Sequence, residues 1–116
     1  MGDINHDTQA FGSKLDAIRA ELIAQSGRVM TICDAAFEAL FADDPEAAKR
    51  AIDLDEPIDR ADVEIENRSV ELLCDASRVQ NELPSAQIRE VLVVVKANNE
   101  LERIADCAVS IAEQVS

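Results

Sequence analysis

Residues 41–48 read FADDPEAA, and this short stretch sets the first boundary in an otherwise helical chain. Asp44 is suited to cap a helix whose first residue is Pro45, because the first residue of a helix has no use for the backbone N–H that proline lacks. Glu46 places a negative charge in the first turn, where the helix dipole favours it. The stretch therefore predicts a helix that begins at residue 45 and an earlier helix that ends near residue 42.

The segment before this boundary carries apolar residues at helical spacing. Their separations of three, four and seven residues are typical of one face of a helix over residues 10–42. The positions are Phe11, Leu15, Ile18, Leu22, Val29, Cys33, Ala36 and Leu40. Residues 1–9 are mostly polar, and we expect them to form a flexible N-terminus.

The segment after the boundary predicts two more helices, over residues 45–78 and 85–115. Pro57 interrupts the first of them and is expected to kink it, because it removes one backbone donor. The stretch NELPSAQ, residues 81–87, separates the two helices, since Pro84 stops or restarts the chain. Three long helices with short connections favour an all-α fold, an antiparallel three-helix bundle that forms one domain over residues 10–116.

The run VLVVV at residues 91–95 is rich in β-branched side chains, which strands favour. A single strand has no partner in this chain, however, and the flanking residues keep helical spacing. The run therefore predicts a helix that is apolar nearly all round and that packs against neighbours on more than one side, which two other helices and a dimer partner would supply.

The net charge of −13 excludes some partners. Nucleic acids and anionic membrane surfaces attract basic proteins, so neither is expected as a partner. The charge is compatible with a cation, with a basic protein or simply with a solvated surface. The apolar run is too short to insert into a bilayer. Three cysteines without a paired spacing indicate free thiols, and no signal peptide is recognised, so we expect a cytoplasmic protein.

The second helix carries a stripe of four carboxylates. Asp55, Asp59, Asp62 and Glu66 follow one another at spacings of four, three and four. Such spacings place all four within about 60° on one side of the helix, next to its apolar face. Like charges at these spacings repel, so burial of the stripe requires a proton or a cation to offset the repulsion.

The last helix carries a second acidic set. Asn99, Glu102 and Asp106 continue the apolar line of Ile88, Val91, Leu92 and Val95. A hard or borderline cation bridging the carboxylates of both helices would make this placement tolerable, and oxygen ligands suit magnesium, calcium or manganese, and iron or zinc in bridged clusters.

Two alternatives to a metal site remain open at this point. In the first alternative the carboxylates lie on an exposed edge of the bundle. In the second they form ion pairs with Arg50, Arg68 or Arg89. Either case describes a structural or dimerisation bundle whose acidic face only keeps the protein in solution. A di-iron enzyme does not fit, because His6 is the chain's single histidine and bundle enzymes of that kind use Glu-x-x-His pairs.

Two stretches of the chain resemble the PhoU family. LERIADCAVSIAE at residues 101–113 is similar to the family signature LERIGDHAVNIAE, and DLDEPIDRADVEIE at residues 53–66 is similar to a second signature, D-x-x-I-D followed by acidic residues. The family's metal motif E/D-x-x-x-D matches Asp55 with Asp59, and Glu102 with Asp106. The resemblance extends from about residue 11 to residue 115.

The resemblance implies a single PhoU domain of three helices that acts as a regulatory adaptor rather than an enzyme. It implies metal ions at Asp55, Asp59, Glu102 and Asp106, as iron or zinc clusters. From their spacing and oxygen donors, Asp62, Glu66 and Asn99 are further candidate ligands, and magnesium is a further candidate ion. The resemblance also implies negative regulation of phosphate uptake and signalling in the cytoplasm, with a phosphate-sensing histidine kinase and the Pst ABC transporter as partners. Because most relatives carry two tandem copies and this chain has one, a homodimer is expected.

Overall fold

Four α-helices follow one another in the computed structural model, which describes residues 2–78 and 85–115 and the side chains of residues 9–77 and 86–115. They are α1 Gly2–Ala42, α2 Pro45–Asp53, α3 Asp55–Arg78 and α4 Ser85–Glu113. The predicted all-helical bundle is confirmed, with α2 and α3 as two parts of its second rod. Pro84, which was predicted to separate the last two helices, lies outside the described residues.

The first helix begins at Gly2, eight residues before the predicted start at residue 10. Each residue added to an existing helix gains one backbone hydrogen bond, so the helix can begin before the first apolar residue of its buried face. With 41 residues α1 is about 62 Å long at 1.5 Å per residue. This length matches the 63 Å long axis of the molecule, whose other extents are 17 and 16 Å.

The second rod is broken at Leu54, three residues before Pro57. Proline has no N–H to donate to the carbonyl four residues earlier, and its ring crowds that carbonyl, which here belongs to Asp53. The chain therefore ends α2 at Asp53 and starts α3 at Asp55. The predicted kink is thus a complete interruption of the helix.

Contacts between side chains fix the direction of each rod. Lys14, near the start of α1, forms an ion pair with Asp75, near the end of α3. Gln25, further along α1, donates to the carbonyl of Ile58, near the start of α3, so the two helices run antiparallel. Arg19 forms an ion pair with Glu90, at the start of α4. Because α4 therefore begins beside the first half of α1, these two helices run parallel, and the bundle is up-down-up as predicted.

The core consists of two apolar clusters that follow one another along the long axis of the bundle. One joins the second half of α1 to α2, the start of α3 and the end of α4, and seven of its ten buried members are alanine: Val29, Ile32, Ala36, Ala39, Ala48, Ala51, Ile58, Ala105, Ala108 and Ala112. The other comprises Phe11, Leu15, Ile18, Ile65, Leu72, Val91 and Val94. Along α1 and α4 the buried Gln25 and Asn98 lie between the two clusters in sequence.

The apolar run at residues 91–95 is helical, but it is not buried all round. Val91 and Val94 are fully buried, whereas Leu92 and Val93 are 53% and 61% exposed in the single chain. Within the single chain the run therefore packs mainly through Val91 and Val94, and cover of Leu92 and Val93 by a dimer partner stays a prediction. Within the part of the chain that the structure describes, none of the helices combines the length and hydropathy needed to cross a membrane.

Candidate metal centre

The antiparallel packing of α3 against α4 brings the two acidic motifs together. Asp55, Asp59 and Asp62 occupy one side of α3, at spacings of four and three. The charges of Asp59, Asp62 and Asp106 all act on Glu102, and the charge of Asp106 also acts on Asp55. Both predicted E/D-x-x-x-D pairs therefore contribute to one group. We call these five residues, Asp55, Asp59, Asp62, Glu102 and Asp106, the carboxylate cluster.

Glu102 is the most strongly perturbed member of the cluster. Burial raises the pKa of its carboxyl from an ordinary value of 4.5 to about 8, and the adjacent carboxyl of Asp59 adds to this effect. The charges of Asp59, Asp62 and Asp106 act in the same direction. At neutral pH the metal-free cluster therefore keeps a proton on Glu102, because a proton removes one of several mutually repelling charges.

Two more carboxyls of the cluster have raised pKa values, again mainly because of burial. For Asp55 the charges of Asp59 and Asp106 add to the burial effect. For Asp62 the charge of Glu66 adds to it, whereas a hydrogen bond from Asn98 lowers the pKa. That hydrogen bond joins Asn98 Nδ2 to Asp62 Oδ1 over 2.6 Å, and the same amide donates to the Asp62 carbonyl over 3.1 Å.

Basic side chains do not neutralise the cluster within the described part of the chain. Arg103 pairs with Glu100 and Arg68 pairs with Glu64, so these two guanidinium groups are used elsewhere. None of the ion pairs formed by described side chains includes a member of the cluster. Ion pairing to Arg50, Arg68 or Arg89, an alternative raised by the sequence, therefore does not account for the grouped carboxylates.

Two cluster oxygens, Asp55 Oδ1 and Glu102 Oε2, are buried without a hydrogen-bond partner. Buried polar atoms are normally paired, so each of these oxygens lacks a proton donor or a cation. A cation would satisfy both oxygens, and carboxylate oxygens suit magnesium, manganese, iron and zinc. A proton shared with Asp59, which lies within hydrogen-bonding reach of both carboxyls, would supply a donor to one of them at a time.

The described His, Cys, Asp and Glu side chains do not, however, contain a group of three placed to hold a metal ion. The donors of the cluster have the right chemistry for a hard cation, but they are not arranged as a ready-made coordination shell. A bound ion would therefore require the carboxyl groups to rotate toward it. Asp59 and Asp106 are exposed and free to do so, whereas Asp55, Asp62 and Glu102 are half-buried.

Two further candidates from the sequence do not lie in the centre of the cluster. Asn99 is exposed, and the buried amide is that of its neighbour Asn98, which is 1% exposed. The predicted apolar line ran through Val95, whereas the buried line of α4 runs through Val94 and hence through Asn98 and Ala105. Glu66 is exposed and acts on Asp62 only through its charge.

Asn98 was not among the predicted site residues, although the spacing of buried residues along α4 pointed to it. The spacing from Val91 to Val94 and on to Asn98 is three and four, and Ala105 and Ala108 continue it. An asparagine at such a position is buried when a partner element offers acceptors for its amide. Asp62 offers two acceptors to Asn98, which depends on how α3 packs against α4 and is not visible in either motif alone.

Comparison with known proteins identifies the family. The PhoU domain profile matches residues 24–115. The chain is 27% identical over 97% of its length to a phosphate-specific transport system accessory protein PhoU homolog of Zymomonas mobilis, and 28% identical over 89% to the PhoU accessory protein of Escherichia coli. A homolog from Clostridium acetobutylicum is 30% identical over 90% of the chain.

These matches cover only part of the relatives. The chain spans 46%, 41% and 46% of the lengths of the three proteins from Zymomonas, Escherichia and Clostridium. No solved structure matches the chain significantly. The family profile nevertheless covers most of the 116 residues, including both acidic motifs. The chain therefore belongs to the PhoU domain family.

Proposed function

We propose that this protein is a cytoplasmic regulatory adaptor of phosphate homeostasis, which restrains phosphate uptake and signalling and binds metal ions through the carboxylate cluster. Family membership supports the regulatory part, because the relatives that the chain matches are named as accessory proteins of the phosphate-specific transport system. Their names describe an accessory role, so the proposed function is that of an adaptor and not of an enzyme.

The proposed partners are the Pst phosphate ABC transporter and a phosphate-sensing histidine kinase. The names of the relatives support the first of these. A homodimer of this chain is a further part of the proposal.

The observation that carries the metal-binding part is the meeting of two acidic motifs from two helices. Asp55 and Asp59 come from α3, Glu102 and Asp106 come from α4, and two of their oxygens are buried without a partner. Burying like charges together is unfavourable without a compensating cation or proton. A cluster of this kind is expected to favour divalent ions over monovalent ions, since divalent ions gain more from the same set of charges.

Metal binding is tested on protein purified without chelator, by elemental analysis and by calorimetric titration with Mn²⁺, Zn²⁺ or Mg²⁺. Asp59→Ala and Glu102→Ala are expected to weaken the binding of whichever ion is found, because each removes a donor from the cluster. Asn99→Ala serves as the matched control, since Asn99 is an exposed neighbour that should not contribute. Absence of bound iron, zinc and magnesium, with no heat on titration, would contradict metal binding.

The regulatory role is tested separately in a deletion strain. Loss of the gene is expected to raise phosphate-responsive transcription under phosphate-replete conditions, and the wild-type gene should restore repression. An Asp106→Ala copy then reports whether the cluster is needed for this role. Unchanged transcription after deletion would remove the regulatory proposal while leaving the metal result intact.

A metal-free acidic bundle is the second candidate, and the proton held by Glu102 favours it. With a pKa of about 8, Glu102 supplies the missing donor to the cluster without any ion. In that case the acidic face serves solubility and dimerisation. This alternative predicts that Asp55→Asn combined with Asp59→Asn raises the free energy of unfolding and leaves phosphate-responsive transcription unchanged.

A further inference from the structure

An open groove lies between the end of α1 and α2, and it shares no residue with the carboxylate cluster. Its volume is about 870 Å³. Phe37 and Phe41 line it, with side chains 44% and 82% exposed and ring centroids 6.2 Å apart in a stacked arrangement. The third phenylalanine, Phe11, is 4% exposed in the core, so the groove holds both aromatic side chains that the protein presents to solvent.

The rim of this groove, which we call the Phe37–Phe41 groove, is acidic. Asp34, Glu38 and Asp44 contribute three carboxylates to its lining, against the single guanidinium of Arg50. The whole chain is also strongly negative, with a net charge of −13. An exposed apolar surface with a charged rim is typical of an interaction site, because the apolar part gains from burial and the rim selects the partner.

We propose that the Phe37–Phe41 groove docks a basic amphipathic helix of another protein. Aliphatic side chains of that helix would cover the two phenyl rings, while lysine or arginine side chains would face the three carboxylates. Arginine would gain further from the exposed ring face of Phe41, since cations are attracted to aromatic faces. This proposal goes beyond the regulatory role above and does not depend on metal binding.

Charge complementarity is what decides between this partner and a second copy of the chain. Two copies meeting groove to groove would be related by a two-fold axis, so each would present the same carboxylates to the other. Like charges placed opposite each other disfavour such a contact, whereas a basic partner is attracted over the whole approach.

The first experiment uses fluorine NMR of protein labelled with fluorophenylalanine. With three phenylalanines in the chain, the spectrum has three signals, two from the groove and one from the buried Phe11 as an internal control. The probe is a synthetic peptide of about four helical turns, roughly 14 residues, with leucine on one face and arginine on the other. We expect the Phe37 and Phe41 signals to shift during titration while the Phe11 signal stays in place.

Two altered peptides separate the apolar and the charged contributions. A peptide with glutamate in place of arginine is expected to leave all three signals unchanged, because it meets a rim of its own sign. A peptide with serine in place of leucine should bind much more weakly, since it has nothing to cover the rings. Equal shifts with all three peptides would show non-specific association and would overturn the proposal.

Matched variants of the protein test the groove itself, with binding measured by fluorescence anisotropy of the labelled arginine peptide. Phe41→Ser is expected to weaken binding at least about tenfold, a loss typical of a residue central to an interface. Ile23→Ser is the control, because Ile23 is similarly exposed at 72% but does not line the groove. Both sites are exposed, so neither change should unfold the protein.

Charge reversal gives a second matched pair. Glu38→Lys and Glu113→Lys change the net charge equally, but only Glu38 lines the groove. We expect the first to weaken binding of the arginine peptide severalfold more than the second. The proposal would be overturned if, within each pair, the groove variant and its control lost the same affinity for the arginine peptide. The peptide would then be responding to the overall charge and not to the groove.

A further outcome would assign the groove to a second copy. If the Phe37 and Phe41 signals shift as the protein concentration rises without peptide, and ultracentrifugation finds a dimer that Phe41→Ser dissociates, the occupant is this chain itself. That result would contradict the proposed basic partner.

Discussion

Asn98 shows how one buried amide fixes the position of a charged neighbour. Its side chain is 1% exposed, and its Nδ2 donates both to the carbonyl and to the carboxylate of Asp62. A hydrogen bond to a charged group contributes more than a neutral one, so the amide holds the Asp62 carboxylate in place. The oxygen of the same amide, Asn98 Oδ1, is buried without a partner, and this cost offsets part of the stability gained from the hydrogen bonds.

We predict that Asn98→Ala lowers the free energy of unfolding by about 1–3 kcal/mol, since it removes two hydrogen bonds from buried groups and leaves a gap. Urea denaturation followed by circular dichroism measures this loss. Asn99→Ala is the matched control and should stay within about 0.5 kcal/mol of wild type, because Asn99 is exposed. A larger loss for Asn99 than for Asn98 would mean that the buried face of α4 is the one predicted from the sequence.

Glu102 makes the stability of the metal-free protein depend on pH. The pKa of its carboxyl is raised from 4.5 to about 8 in the folded chain, so between these values the folded state holds a proton that the unfolded state releases. The contribution of Glu102 is therefore fully present below pH 4.5 and is lost as the pH rises through about 8. The raised pKa values of Asp55 and Asp62 act in the same direction.

We predict that, in the presence of a chelator, the melting temperature falls between pH 5 and pH 9, and that Glu102→Gln reduces this fall. Glutamine keeps the shape of protonated glutamic acid but has no proton to lose. Glu113→Gln is the control, because Glu113 is an exposed residue at the end of α4, outside the carboxylate cluster. If the melting temperature of the Glu102→Gln variant falls as much as that of the wild type, Glu102 is not the group responsible.

At the scale of the elements, two aspartates join α1 to α2. Asp43 has a φ of 49°, and its N–H bonds to the Leu40 carbonyl while that of Asp44 bonds to the Ala39 carbonyl. These two bonds close the end of α1 in the manner of a Schellman motif. Asp44 Oδ1 then accepts from the N–H groups of Glu46 and Ala47, so the same residue opens α2.

We predict that Asp44→Ala costs about 1 kcal/mol of stability, the usual loss of an N-cap side chain. Asp43→Gly is expected to be neutral or slightly stabilising, because glycine adopts a positive φ without strain. Thermal melts of the two variants under the same conditions measure both effects. A loss at position 43 that exceeds the loss at position 44 would contradict this assignment of roles.

The whole molecule is a rod 63 Å long that carries a net charge of −13. Fewer than half of its Asp and Glu side chains can be paired with a basic residue, because Lys and Arg together number 11 against 24 Asp and Glu. Self-repulsion of this kind acts against the folded state, and it weakens as salt shortens the range of the interaction. The molecule as a whole should therefore be more stable in salt.

We predict that the melting temperature rises with NaCl concentration up to about 1 M, where the Debye length is about 3 Å. MgCl₂ at the same ionic strength is expected to raise it further if the carboxylate cluster binds divalent ions, since a ligand of the folded state stabilises it. Glu102→Ala should abolish that extra rise and keep the NaCl effect. A melting temperature that falls as NaCl is added would contradict dominant self-repulsion.

Local patterns in the sequence were enough to predict the helices, their order and the family. Pro45, Pro57 and the apolar spacing act locally, so the C-terminal end of α1 and the start of α2 were predictable from neighbouring residues, whereas the start of α1 was not. The two acidic motifs were visible for the same reason, because a spacing of four places carboxylates on one side of a helix. The resemblance to the PhoU family was carried by those motifs and is confirmed.

The packing of the helices against one another, by contrast, determines which side of each helix is buried and which residues meet there. A rotation of about 100°, one residue on a helix, exchanges Asn99 for Asn98, and the choice depends on the packing of α3 against α4. The raised pKa of Glu102 likewise comes from burial and from charges on another helix. The Phe37–Phe41 groove exists because α2 packs beside the end of α1. These features depend on contacts between residues far apart in the chain, which local spacing does not specify.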